Sequence, residues 1–228
     1  MTTETGAGAF AQALAAMKRR GSSLLVVGSA CGRSHLLACR RLLGEDGDGE
    51  RRRVVVLTDG TADLDARVPS DSRETGTFEL FDRRPAVRSA AAATPTAPGL
   101  PATLGTLEAE VRESIDEFDA ATGGLDPAEL RVCVDSLRPL LERYDEEDVV
   151  SFVESTVDAT LEVGGMCHVH LPVDANNSVV ERLEPLFDAT IELRELHVPP
   201  TDGEEPRTAT EQCWHLHEAD VTTDWLPL

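Results

Sequence analysis

Apolar residues along this chain fall into short continuous blocks and into stripes at helical spacing, and the two kinds alternate. Phe10, Leu14 and Met17 recur at i, i+4 and i+7 and predict a short helix that Gly21 stops. Leu24 to Val27 is a continuous apolar block, the pattern of a strand buried on both faces. A helix from about His35 to Leu43, a turn from Gly44 to Gly49 and a second block, Val54 to Leu57, complete a β-α-β unit. Phe78 to Asp82 predicts a short strand. The Ala/Pro/Thr-rich stretch from Ser89 to Pro101 cannot pack a core, so a mobile loop is expected over about 86–102.

Helical spacing returns at Leu104, Leu107, Val111, Ile115 and Phe118, and a buried strand follows from Leu130, ending in Asp135-Ser136. A helix from about Asp145 to Val163 carries Val149, Val153, Val157 and Leu161 on one stripe, and Gly164-Gly165 ends it. Strand Met166 to Leu171, helix Ser178 to Phe187 and strand Ala189 to Leu193 continue the alternation, with Gln212 to Glu218 as a candidate last strand. Strands alternating with helices predict an α/β fold, a mostly parallel sheet covered by helices on both faces, with room for a C-terminal antiparallel strand. One domain is expected over residues 8–228, with an irregular extension from about 195.

Charge narrows the function. Forty-two Asp and Glu stand against 21 Lys and Arg, for a net charge of −21, and Lys18 is the sole lysine among 228 residues. Such a surface repels nucleic-acid phosphate and anionic membrane, both of which need clustered cations. Excess acid with almost no lysine fits a cytoplasm of very high salt, where self-repulsion is screened. No apolar run approaches the roughly 20 residues that span a bilayer, and the N-terminus lacks a basic stretch followed by an apolar one, so a cytoplasmic protein is expected. The five cysteines, Cys31, Cys39, Cys133, Cys167 and Cys213, form no C-x-x-C pair and read as buried thiols.

The first apolar block runs into Gly28-Ser29-Ala30-Cys31-Gly32-Arg33-Ser34 and then a helix, which is the setting of a phosphate loop. A working loop reads G-x-x-x-x-G-K-[ST]: backbone N–H groups cradle the phosphates, Lys reaches the β/γ oxygens and the hydroxyl holds Mg²⁺. Here Gly28 and Gly32 enclose three residues, and Arg33 stands in place of Lys. Two readings follow: a residual phosphate site built on Gly28, Gly32, Arg33 and Ser34, or a plain strand-to-helix turn with Ser34 near the cap. Asp135, at a strand end, has the place and chemistry of an acid that orders Mg²⁺ or its water; the bland reading is a capping acid.

The order of these elements, and above all Arg131-Val132-Cys133-Val134-Asp135-Ser136-Leu137 followed by a helix and the strand at 166–171, resembles the RecA-like ATPases of the KaiC/GvpD type over about residues 8–195. The resemblance is to a degenerate, haloarchaeal branch of that group. It implies ATP or another nucleotide with Mg²⁺ as the ligand, Asp135 holding the metal through water, and a catalytic Glu at the end of the second strand, where this chain has Asp59. A short loop, Arg33 for Lys and Asp59 for Glu together imply a regulatory pseudo-ATPase that works through a protein partner or self-association. The rivals are a slow ATPase using Arg33, Ser34, Asp59 and Asp135, and an interaction domain without a ligand. In Cys167-His168-Val169-His170 and Cys213-Trp214-His215-Leu216-His217, alternate residues of a strand share a face, so His168 with His170, and Cys213 with His215 and His217, are further candidates for a Zn²⁺ or Cu²⁺ site. The bland reading places His168 and His170 at the crevice of the loop.

Overall fold

The computed structural model describes residues 3–30, 32–44, 51–68, 73, 76–84, 103–198 and 207–228. Cys31 and the loop expected over 86–102 lie outside the described residues. In chain order the elements are α1 (Thr3–Arg20), β1 (Ser22–Val27), α2 (Gly32–Leu43), β2 (Arg52–Leu57), α3 (Leu64–Arg67), β3 (Phe78–Asp82), α4 (Leu104–Thr122) and β4 (Leu130–Val134). They continue with α5 (Arg138–Leu141), α6 (Glu146–Glu162), β5 (Met166–Leu171), α7 (Ser178–Leu183), a 3-10 turn (Glu184–Leu186), β6 (Ala189–Val198), β7 (Arg207–Leu216), β8 (Val221–Thr222) and β9 (Leu226–Pro227).

One sheet takes all the described strands in the order β3-β2-β4-β5-β1-β6-β7-β8, with β9 also on β7. Strands β1 to β6 pair in parallel, and β7 turns back antiparallel to β6. Every residue of β1, β4 and β5 is buried, which is why apolar residues occur on both faces of these strands, with Ser22, Ser23, Arg131, His168 and His170 as the buried polar exceptions. Alternate side chains supply two cores. Leu25, Val27, Val132, Val134, Cys167 and Val169 pack against Leu107, Val111 and Ile115 of α4 and Phe152, Val153 and Val157 of α6. On the opposite face Leu24 and Val26 meet Met17 of α1 and Ala38 of α2, while Cys39 and Leu43 of α2 cover Val55, Leu57 and Cys133. Helices thus cover both faces, as expected.

The segment beyond residue 195 differs from the expectation. Strand β6 continues to Val198, and β7 pairs with it from Ala189↔Leu216 to Val198↔Arg207. The expected C-terminal antiparallel strand is present, but β7 starts at Arg207 rather than Gln212, because its first half, Arg-Thr-Ala-Thr-Glu, is polar. A strand near the sheet margin has solvent on one side and carries no apolar block. In the same way α2 begins at Gly32 rather than His35, because its first turn lines a cleft and has no apolar stripe.

Candidate functional site

Strand β1 delivers the loop to the carboxyl edge of the sheet, where open α/β sheets bind ligands. Gly28 is held tightly: its N–H donates to the Val173 carbonyl at 2.8 Å, its φ is +123°, and a Cβ built there would lie 2.2 Å from the Leu193 carbonyl oxygen. Packing between β6 and the end of β5 therefore demands this glycine. Gly32 is under no such demand, since a Cβ there meets nothing within 4 Å. The first turn of α2 opens on a cleft of about 380 Å³ lined by Gly32, Arg33, Asp59, Asp135 and Ser136. Four of the residues named from the sequence for phosphate, metal and water activation thus meet around one space.

Asp135 follows β4 and is 2% exposed. Its Oδ1 accepts from the Thr58 N–H at 2.7 Å and lies 2.9 Å from the Thr58 hydroxyl, whereas Oδ2 is buried with no hydrogen-bond partner among the described residues. Burial pushes the carboxyl up to about 6, against the pull of the neighbouring Arg67 guanidinium and the Thr58 hydrogen bonds. An unpartnered buried oxygen at a cleft is the natural seat of a cation's water. Asp59, just past β2, spends Oδ1 on its own turn, accepting from the Thr61 N–H and hydroxyl at 2.8 Å each.

Ser34 is not brought into the cleft. It is fully buried, donating to Glu195 Oε1 at 2.6 Å, and with its one proton so committed it accepts from the Thr210 hydroxyl at 2.9 Å. The hydroxyl that would hold Mg²⁺ instead fastens α2 to the β6–β7 hairpin. The loop's other hydroxyl, Ser29, donates to Asp174 at 2.8 Å. Three cleft residues carried no sequence signal: Asp63, which caps α3 by accepting from the Ala66 N–H, Arg67, only 6% exposed, and His35. With Arg33 and Arg67 against Asp59, Asp63 and Asp135, the lining holds two cations and three acids.

Behind the cleft, His35 and His170 form a relay. The Gly28 carbonyl can only accept, so His35 Nε2, at 2.9 Å, carries the proton. Burial lowers the His35 pKa and takes that of His170 down to about 3, so both rings are neutral. The bare His35 Nδ1 then accepts from His170 Nδ1–H at 3.0 Å, and His170 Nε2 is left without a proton. His168 and His170 thus lie beneath the loop strand on the α2 face of β5. Cys167 points to the other face, against α6, its thiol pushed up to about 12 by burial, and so cannot share a metal with them. Cys213 does not join His215 and His217 either: its Sγ donates to the Thr223 carbonyl, and the third group beside those two rings is Glu184.

A second cleft, of about 390 Å³, lies at the opposite end of the sheet, lined by Lys18, Arg41, Arg51 and Arg131 with Leu14 and Trp214. It holds none of the loop or strand-end groups. None of the helices among the described residues is long and apolar enough to cross a membrane.

The fold is RecA-like. A KaiC-like protein from the hyperthermophilic archaeon Pyrococcus horikoshii OT3 has a similar solved structure, with a TM-score of 0.61 over 91% of this chain and 85% of that one, at 14% sequence identity. At that identity the likeness is one of fold. No curated protein matches the chain in sequence. The model of a family of unknown function, DUF7504, matches residues 21–193, well over half of the chain, and the protein belongs to that family.

Proposed function

We propose that this protein is a regulatory RecA-like module that binds a Mg²⁺–nucleotide at the mouth of β1 and turns it over poorly or not at all. The observation that carries the reading is the division of the loop's chemistry. Gly32, Arg33 and the unpartnered Oδ2 of Asp135 face one cleft, while the Ser34 hydroxyl is locked against Glu195 and Thr210. The N-terminus of α2 and Arg33 attract phosphate, and Asp135 can order a Mg²⁺ water. Bound Mg²⁺ would offset the excess of cleft carboxylates, so the metal complex is the favoured ligand over free nucleotide. Turnover needs more, because phosphoryl transfer depends on positioning, and a misplacement of about 1 Å can cost roughly a hundredfold. Here the metal-binding hydroxyl is turned away and Asp59 closes its own turn.

A module that binds without turnover exerts its effect through a contact, with another protein or with a second copy of the chain. Its charge of −21 disfavours nucleic acid and anionic membrane. Calorimetry in molar KCl with Mg²⁺-ATP, Mg²⁺-GTP and Mg²⁺-ADP tests the reading. Binding is expected at millimolar to micromolar Kd, about 4 to 8 kcal/mol, and Arg33→Ala should weaken it without unfolding the chain. Absence of heat with every nucleotide would leave an interaction domain with no ligand. Steady hydrolysis near about 1 s⁻¹ that Asp135→Asn abolishes would instead make the protein an ATPase.

A further inference from the structure

We propose that Cys39, Cys133, His168 and His170 form a structural metal site beneath the loop, taking Zn²⁺ in tetrahedral coordination by two thiolates and two imidazoles. The fold brings the four together from distant parts of the chain. Cys133 of β4 and His168 of β5 are register partners, His170 lies two residues on along the same face, and Cys39 comes down from α2. One ligand atom from each lies within 4.8 Å of all the others, and all four residues are buried.

Two imidazole nitrogens point to a ligand rather than to packing. Among the described residues neither His168 Nε2 nor His170 Nε2 has a hydrogen-bond partner of good geometry, in side chains that are 2% and 0% exposed, and the Cys39 thiol that lies beside both has a single proton and can serve only one of them. Native interiors rarely leave such atoms unmet. For His170 the relay explains the availability: its Nδ1 proton is committed to His35, so the Nε2 lone pair is free. A metal-bound imidazole commonly donates its other N–H to a second partner that fixes its tautomer, and His35 is that partner here.

A disulfide accounts for less. The two sulfurs are 3.3 Å apart, well beyond the roughly 2.05 Å of an S–S bond, and joining them would leave both nitrogens unmet. Tetrahedral Zn²⁺, with bonds of about 2.3 Å to sulfur and about 2.0 Å to nitrogen, spaces its ligands by about 3.3 to 3.8 Å. Adjustments of at most about 1.5 Å in any ligand-to-ligand distance therefore close the set. Mixed sulfur and nitrogen ligands in a closed tetrahedral site favour zinc among the common divalent ions. On loading, Zn²⁺ displaces one proton from each thiol, and both protons leave to solvent. Two positive charges against two thiolates leave the metal set itself neutral, and the buried Arg67 guanidinium beside Cys39 and Cys133 is placed to steady the thiolates from one side, with Leu43, Val55 and Leu57 around them. The ion would tie α2 to β4 and β5 and, through His170 and His35, to the carbonyl of Gly28. It requires no nucleotide.

The test uses the full chain, produced without a polyhistidine tag in zinc-supplemented medium and kept in molar KCl. Elemental analysis should find one zinc per chain after dialysis. Wild-type chain refolded with Co²⁺ should show the intense visible bands of a tetrahedral ion together with sulfur-to-cobalt charge transfer, a readout that needs no variant. Cys133→Ser and His168→Gln should each lose the stoichiometric zinc, His35→Ala should weaken it by about 10- to 100-fold, and His217→Ala should leave it unchanged. Folded wild type with substoichiometric zinc, titratable thiols and an octahedral cobalt spectrum lacking charge transfer would overturn the proposal. So would zinc that survives Cys133→Ser and disappears with His217→Ala, which would place it on the sulfur-free Glu184, His215 and His217 group.

Discussion

The two glycines of the loop should respond to the same substitution in opposite ways. At Gly28 an alanine Cβ would lie 2.2 Å from the Leu193 carbonyl oxygen and 3.1 Å from the Leu193 carbonyl carbon and amide nitrogen, all backbone atoms of a paired strand. Relief requires β6 to retreat by about an ångström from the loop, at the expense of its ladder to β1, because no side chain is available to swing aside. The backbone at φ +123° adds strain of about 1 to 3 kcal/mol for a residue with a Cβ. Gly28→Ala should therefore cost about 4 kcal/mol or more, a large share of the roughly 5 to 15 kcal/mol that holds a domain folded. At Gly32 the Cβ meets open space, and replacing a helical glycine by alanine is worth between zero and about 1 kcal/mol in favour of the fold. The same methyl would intrude on the cleft where phosphate is expected, so Gly32→Ala should bind Mg²⁺-ATP more weakly. Urea unfolding followed by circular dichroism in molar KCl, with calorimetry on the folded variants, measures both effects. A Gly28→Ala protein as stable as wild type, or a Gly32→Ala protein destabilised to the same degree, would refute this division of roles.

Ser34→Ala should leave nucleotide affinity unchanged while costing about 1 to 3 kcal/mol in urea unfolding, because the hydroxyl serves Glu195 and Thr210 rather than a metal; a loss of affinity matching that of Arg33→Ala would return Ser34 to the site. Asp135 ionises in the folded state only near about 6, above its ordinary 3.8, so its contribution to stability is fully present below about pH 4 and is lost as pH rises to about 6. Asp135→Asn should accordingly gain about 3 kcal/mol on wild type between about pH 4 and about pH 7, and a difference that does not vary with pH would contradict it. Transfer from molar to millimolar KCl should unfold the chain, since repulsion among 42 acids is then unscreened; an unchanged circular dichroism signal would remove the basis for reading the composition as an adaptation to salt.

Local pattern carried most of the sheet and very little of its closure. The blocks at Leu24, Val54, Leu130 and Met166 were legible because strands buried on both faces have no polar side, and each became a strand in the expected place. The first half of β7 is hidden by its polar composition, and with it the partner that takes Ser34 out of the cleft, Thr210. Spacing within the loop reads Gly28 as part of a phosphate nest, whereas what demands a glycine there is the carbonyl of Leu193, which lies 165 residues further along the chain. Arg67 and Asp63 were missed for the same cause, since a short helix after β2 has no pattern that aims it at Asp135.

The histidines expose the limit most plainly. Alternation placed His168 and His170 on one face of a strand, but which cysteine they meet depends on strand order. Strand β5 lies between β1 and β4, so its α2 face is bordered by Cys133 from one neighbour and roofed by Cys39, and Cys167 is turned away although it is adjacent in sequence. Crossover order is fixed by how helices pack over the sheet and leaves no trace in residue spacing, so a site assembled across three elements has no motif to find. The same order sets the shared position of loop, Asp135 and histidine relay. Because β5 separates the loop strand from the acid strand, anything that braces β5 against α2 also holds the distance between Gly32 and Asp135, on which any ligand of the cleft depends.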